Sequence, residues 1–179
     1  SYLPLFGELR RKVENLSLCY EGSILLVNED ETYQNINQHT IQQKNLWIFA
    51  LDDYGFKPLQ QNSSSNNFWL ISNPKCLSKL TNLIKTKPNL IKSFDYIFIP
   101  IQFYGLVENY HNYVWINLPC EIASNWNPTF LNCADFIQGG LVSTSAALQL
   151  SSYMGFTKIY IYRQNEKVIY NSTSSINLI

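Results

Sequence analysis

The sequence predicts one α/β domain built on a doubly wound, mostly parallel sheet with helices on both faces. Short apolar runs of strand length recur along the chain, and helix-length segments with one apolar face lie between several of them. Signals for β-hairpin turns are missing between these runs. With 179 residues, 46% of them hydrophobic, the chain suits a single domain over residues 1–179, either complete or part of a longer protein.

The elements follow in chain order. Residues 5–16 carry basic and apolar side chains at helical spacing, and residues 23–27 form an apolar run of strand length. The polar stretch that follows, which contains Ile36 and Ile41, fits a helix. Aromatic and β-branched residues then mark four further strands, at residues 46–51, 68–72, 96–100 and 113–117.

A second helix is predicted over residues 75–85, where Cys76, Leu77, Leu80, Leu83 and Ile84 form one apolar stripe. Residues 85–92 are predicted to form a basic turn around Pro88. This turn is either part of the solvated surface or a clamp that binds phosphate.

Residues 138–156 predict a loop, then a helix and the end of that helix. Residues 158–162 are predicted to form the last strand. Gly139 and Gly140 allow a tight turn and close approach of backbone to a ligand. Ser143 and Thr144 suit a helix start, whose free N–H groups favour an anion. Gly155 fits the helix end. The turn therefore binds a ligand or serves the fold alone, and both interpretations remain open.

Doubly wound sheets bind ligands at the carboxyl ends of their strands. This rule places Asn28, Asp52, Asp53 and Asn73 on one rim with the glycine turn, each just after a predicted strand. The two aspartates fit a metal or ribose site, and an exposed acidic turn explains them equally well.

Residues 139–162 resemble the nucleotide-proximal segment of two related groups of enzymes. The features are the glycine-led loop, the small hydroxyl residues, an Ala/Leu/Gln helix, Tyr-Met-Gly-Phe and a Lys-Ile-Tyr strand. One group is the bacterial sialyltransferases of glycosyltransferase family 42. The other is the motility accessory factor glycosyltransferases, whose domain is similar to an archaeal 6-hydroxymethylpterin diphosphokinase. Residues 68–74, Phe-Trp-Leu-Ile-Ser-Asn-Pro, are similar to the strand-Asn-Pro element that holds the cytidine of the sialyltransferase donor.

The resemblance implies a Rossmann-like fold and transfer of a sialic-acid-like sugar from a CMP-linked donor to a carbohydrate acceptor. Asn73 would hold the base or ribose. Gly139, Gly140, Ser143 and Thr144 would bind phosphate. In the loop after the first strand only Asn28 is suited to the donor, because three carboxylates follow it, at residues 29–31, and repel phosphate. The aspartate that these families carry just past the last strand is also missing.

His111, near Glu108, is the candidate general base, whereas His39 lies in a polar stretch and is expected to be inert. Two alternatives to a transferase remain open. One is a catalytically silent relative that acts as a binding or assembly module. The other is a pterin-type diphosphate-transferring enzyme, favoured only by the carboxylates at residues 29–31, which suit Mg²⁺.

The composition of the chain limits the classes of partner that we expect it to bind. Thirteen basic and thirteen acidic residues give zero net charge, so no electrostatic footprint for nucleic acid is visible. Four cysteines lack Cys-x-x-Cys spacing, and neither a metal nor a cofactor is expected. Without a signal sequence or a transmembrane run, we expect a cytoplasmic location. Only 15% of residues are charged, which favours association between copies of the chain.

Overall fold

A computed structural model of the protein describes residues 3–27, 45–53, 67–118, 132–135, 137, 143–163 and 166–171. The segment with Ile36 and Ile41, which the sequence predicts as helical, lies outside these ranges.

Seven strands form one sheet in the described part of the chain, in the order β5-β4-β3-β2-β1-β6-β7. The first six are parallel to one another, which confirms the predicted fold class. The strands are β1 (Ser23–Val27), β2 (Trp47–Leu51), β3 (Asn67–Leu70), β4 (Tyr96–Pro100), β5 (Tyr113–Ile116), β6 (Lys158–Arg163) and β7 (Glu166–Asn171).

The strand β7 was not predicted from the sequence. It pairs antiparallel with β6, from Arg163 opposite Glu166 to Lys158 opposite Asn171. The two intervening residues, Gln164 and Asn165, include no glycine, so the usual sequence signal for a two-residue hairpin turn is missing here.

Four α-helices are described, α1 (Leu3–Glu14), α2 (Pro74–Thr86), α3 (Pro88–Lys92) and α4 (Ser143–Met154), and a short 3-10 helix, Ile101–Phe103, follows β4. The short helix α3 replaces the turn predicted around Pro88. Lys87 ends α2 by donating its N–H to the carbonyl of Leu83, Pro88 starts the next helix, and Ile91 is fully buried. A proline suits the first position of a helix because its missing N–H would be unpaired there in any case.

Side chains alternate between two apolar layers, one on each face of the sheet. Phe49 and Leu51 point to the layer that contains Leu150 of α4, whereas Ile48 and Ala50 point to the layer that contains Leu80 of α2. Helices therefore cover both faces, as predicted.

Helix α1 lies along β5, the strand at one end of the sheet. The N–H of Ile97 in β4 donates to the carbonyl of Asn112, so by alternation the carbonyls of residues 111 and 113 point away from the sheet. The ammonium of Lys12 donates to both of them, at 2.6 Å from the oxygen of His111 and 2.5 Å from that of Tyr113. Helix α1 thus satisfies backbone groups of an edge strand.

No described helix combines the length and apolarity needed to cross a membrane.

Candidate functional site

The strand order reverses at β1, which lies between β2 and β6. In doubly wound sheets, ligands bind at the carboxyl edge where this reversal occurs. The described residues at that edge include Asp52 and Asp53 after β2 and Asn73 after β3. Three predicted nucleotide-binding residues, Asn28, Gly139 and Gly140, lie outside the described ranges.

Asp52 joins the end of β2 to the chain that leaves β3. Its Oδ1 accepts hydrogen bonds from the backbone N–H of Ser72 at 2.7 Å and from the Ser72 hydroxyl at 2.9 Å, and its Oδ2 lies 2.8 Å from the same hydroxyl. The Asp52 carbonyl accepts the indole N–H of Trp69 at 2.9 Å. Asp52 has a φ of +46°, in the left-handed region that aspartate tolerates better than most residues. These bonds fix the corner between β2 and β3.

Asn73 is the N-cap of α2. Its backbone is extended, with φ −124° and ψ 152°, and its Oδ1 accepts the N–H of Cys76 at 2.9 Å. A side-chain oxygen at this position satisfies one of the unpaired N–H groups of the first helical turn. The half-buried side chain therefore has its oxygen committed, and its Nδ2 has no hydrogen-bond partner among the described residues.

Asp53 contacts the same helix further along. Its Oδ1 accepts hydrogen bonds from the ammonium of Lys79, with which it forms an ion pair, and from the thiol of Cys76 at 3.3 Å. Burial raises the pKa of the Cys76 thiol to about 12, and the bond to Asp53 adds to this shift. Within the described ranges, no group of three or more His, Cys, Asp or Glu side chains is placed to hold a metal ion. Asp53 thus anchors the turn to α2.

Ser143 and Thr144 open α4 at the same edge of the sheet. The end of α4 lies at the opposite edge, because Tyr20, just before β1, donates its N–H to the carbonyl of Met154. The helix must therefore start at the carboxyl edge. Ser143 is buried and Thr144 is half-buried. Ser143 and Asn73 thus reach this edge from opposite faces of the sheet, since α4 and α2 belong to different layers.

His111 is exposed and precedes β5 by two residues, so it lies at the amino-terminal edge of the parallel strands. The structure does not bring it together with Asn73 and Ser143, which lie at the carboxyl edge. A strand near a histidine is not enough to predict a shared site. Whether a histidine can share the site depends on which end of the strand it lies at.

The Asp52–Ser72 contact was not predicted from the sequence. Asp52 lies on the predicted rim and Ser72 lies beside it. The two residues come together because Leu51 pairs with Leu70 in the parallel register of β2 and β3. Predicting the contact would have required knowledge of that register.

Comparisons with protein-family models, with curated proteins and with solved structures found no match for this chain. The likeness to sialyltransferases and motility accessory factors stays a prediction from the sequence.

Proposed function

We propose that this chain is a glycosyltransferase-like protein that binds a nucleotide at the carboxyl edge of its sheet. The observation that supports this best is the reversal of strand order at β1, together with two helix starts at that edge. Ligands of doubly wound sheets bind at such a reversal, and helix starts favour anions. The proposed ligand is a cytidine nucleotide carrying a sialic-acid-like sugar, and the proposed acceptor is a carbohydrate.

In this proposal each residue at the edge has a separate task. Asn73 holds the base or ribose through its Nδ2, while Ser143 and Thr144 bind phosphate with Gly139 and Gly140. Asn28 adds a contact from the loop after β1. Transfer then depends on orienting the donor, stabilising the departing phosphate and removing a proton from the acceptor.

The position of His111 favours a second candidate, a catalytically silent binding or assembly module. His111 is the candidate base, yet it lies at the far edge of the sheet, away from Asn73. A chain that binds the donor without a base at the acceptor would hold a nucleotide and transfer little. We therefore expect low or absent sialyl transfer by the chain alone.

The first test is a thermal-shift panel of CMP, CDP, UDP, GDP and ATP, each with and without Mg²⁺. We expect a cytidine nucleotide to raise the melting temperature only when Mg²⁺ is present, because the carboxylates at residues 29–31 repel phosphate. Ligand at a hundredfold excess over its dissociation constant stabilises the folded state by about 2.7 kcal/mol. A panel with no response at any nucleotide would refute the proposal.

Variants then separate binding from transfer. Replacing Gly139 with Val should abolish the cytidine response and leave the ligand-free melting temperature unchanged, because an added side chain blocks close approach to phosphate. Transfer from a CMP-linked sialic acid to a carbohydrate is measured in parallel. Robust transfer that disappears on Asn73→Ala would support the transferase, whereas cytidine binding without transfer would support the silent module.

A further inference from the structure

Within the described part of the chain, the side chain of Asp52 accepts hydrogen bonds from one residue, Ser72, which immediately precedes Asn73. The single hydroxyl proton of Ser72 is shared between the two carboxylate oxygens, and its backbone N–H donates to Oδ1, so both the side chain and the main chain of Ser72 are held. Asp52 meanwhile keeps a left-handed φ of +46°. That conformation is unfavourable for residues other than glycine, and these bonds help to hold it.

The cap on α2 fixes the other side of Asn73. Its Oδ1 faces the N–H of Cys76 at 2.9 Å, so the amide group cannot turn over without losing that bond. Asn73 is thus held on one side by the Asp52–Ser72 bridge and on the other by its own helix. What it offers to a ligand is the Nδ2 group, which only donates hydrogen bonds.

We infer that Asp52 is a positioning residue, which acts through Ser72 to direct the Nδ2 of Asn73 toward the carboxyl edge of the sheet. The site then selects a ligand that places a hydrogen-bond acceptor there, as the O2 and N3 atoms of a cytosine ring do. The inference rests on the proposed nucleotide binding, and it adds a positioning role for Asp52 and a ligand polarity that the sequence did not predict.

The first arm of the test needs no ligand. In Asp52→Gly, the new residue accepts a positive φ but lacks the carboxylate. We expect amide hydrogen exchange at Ser72 to accelerate at least tenfold, and the side-chain amide signals of Asn73 to shift in nuclear magnetic resonance spectra. Asp52→Asn should give intermediate values. The control is Asp53→Asn, because the partners of Asp53 among the described residues include Cys76 and Lys79 of α2.

The second arm measures CMP affinity in the presence of Mg²⁺. Asp52→Gly should weaken binding about tenfold, which corresponds to ~1.4 kcal/mol, and Asp53→Asn should change it less than about twofold. Asn73→Asp is the decisive variant, because aspartate caps a helix as well as asparagine but has no amide donor. We expect it to keep the wild-type melting temperature and lose CMP binding.

The outcomes separate the two claims. If wild-type protein binds no nucleotide, the proposed function fails, and the exchange at Ser72 still decides whether Asp52 holds the corner. If the wild type binds CMP and either Asp52→Gly or Asn73→Asp binds it equally well, the positioning role is refuted. Unchanged Ser72 exchange in Asp52→Gly would refute it as well.

Discussion

Gly155 shows how one residue can join two parts of the fold. It follows α4 with a φ of +105°, and the position of an added Cβ would lie 2.4 Å from the carbonyl oxygen of Tyr20. The last turn of α4 also accepts hydrogen bonds from the chain that enters β1, from Leu18 to Tyr153 and from Tyr20 to Met154. The helix stop predicted from the sequence is therefore also a close backbone crossing.

Replacing Gly155 with Ala should lower the free energy of unfolding by about 2–4 kcal/mol, because the positive φ and the clash with Tyr20 both oppose a side chain. Gly7 provides the control, since it lies inside α1 with nothing within 4 Å of its Cβ position. Gly7→Ala should raise the same free energy by up to about 1 kcal/mol. Urea denaturation measures both, and equal stabilities would contradict the argument.

Single residues of the candidate site were predictable only where local sequence was enough. Asn73 before a proline and Ser143 before an apolar segment carry local helix-start signals, and both do start helices or cap them. The bond from Asp52 to Ser72 joins residues 20 apart and depends on the register of two strands. No local pattern encodes that distance.

Among the secondary-structure elements, buried strands were the easiest to predict. β1 and β4 have the predicted ends, because strands covered on both faces read as continuous apolar runs. β7 was missed because no glycine separates it from β6 in the sequence, and α3 was missed because five residues are too few to show a helical period. Long-range pairing and short length are the physical limits here.

Helix α1 has a role that its amphipathic pattern did not indicate, which is to protect the β5 edge. Lys12 donates to two edge carbonyls, and burial lowers the pKa of its ammonium. Its long apolar stem crosses the surface to reach these oxygens. An edge strand with satisfied backbone groups is a poor template for pairing with another chain.

Lys12→Met keeps most of that stem and removes the donor. We expect the free energy of unfolding to fall by about 2 kcal/mol, because the partly buried carbonyl of Tyr113 loses its partner. We also expect concentration-dependent association in sedimentation velocity as β5 becomes available. The same substitution at the exposed neighbour, Arg11→Met, should do neither. A monomeric Lys12→Met variant of wild-type stability would contradict the protective role.

Across the whole molecule, both layers bury groups that must stay neutral. Burial raises the pKa of Cys76 in one layer and of Cys133 in the other from 9.0 to about 12. Burial also raises the pKa of Tyr113. Above pH 9 the unfolded chain releases thiol protons that the folded chain retains, so unfolding becomes more favourable.

Stability should therefore be level up to about pH 9 and then fall between pH 9 and about 12, the interval between the unfolded and folded pKa values. Each thiol contributes a slope of about 1.4 kcal/mol per pH unit in that interval. Urea denaturation from pH 8 to pH 10.5 measures the slope, with reductant present. The double variant Cys76→Ala, Cys133→Ala starts lower but should show a flatter profile. A wild-type profile that stays level to pH 10.5 would contradict the prediction.

The central position of β1 has a consequence for how the chain is made. Ile24 of β1 pairs with Ile159 of β6, although the two residues are 135 positions apart in the sequence. At a translation rate of about 5–20 residues per second, β1 leaves the ribosome roughly 7 to 27 seconds before β6 does. β2 emerges soon after β1 and covers one side of it. The edge of the Ile-Leu-Leu strand that pairs with β6 therefore stays unpaired on the nascent polypeptide for that interval.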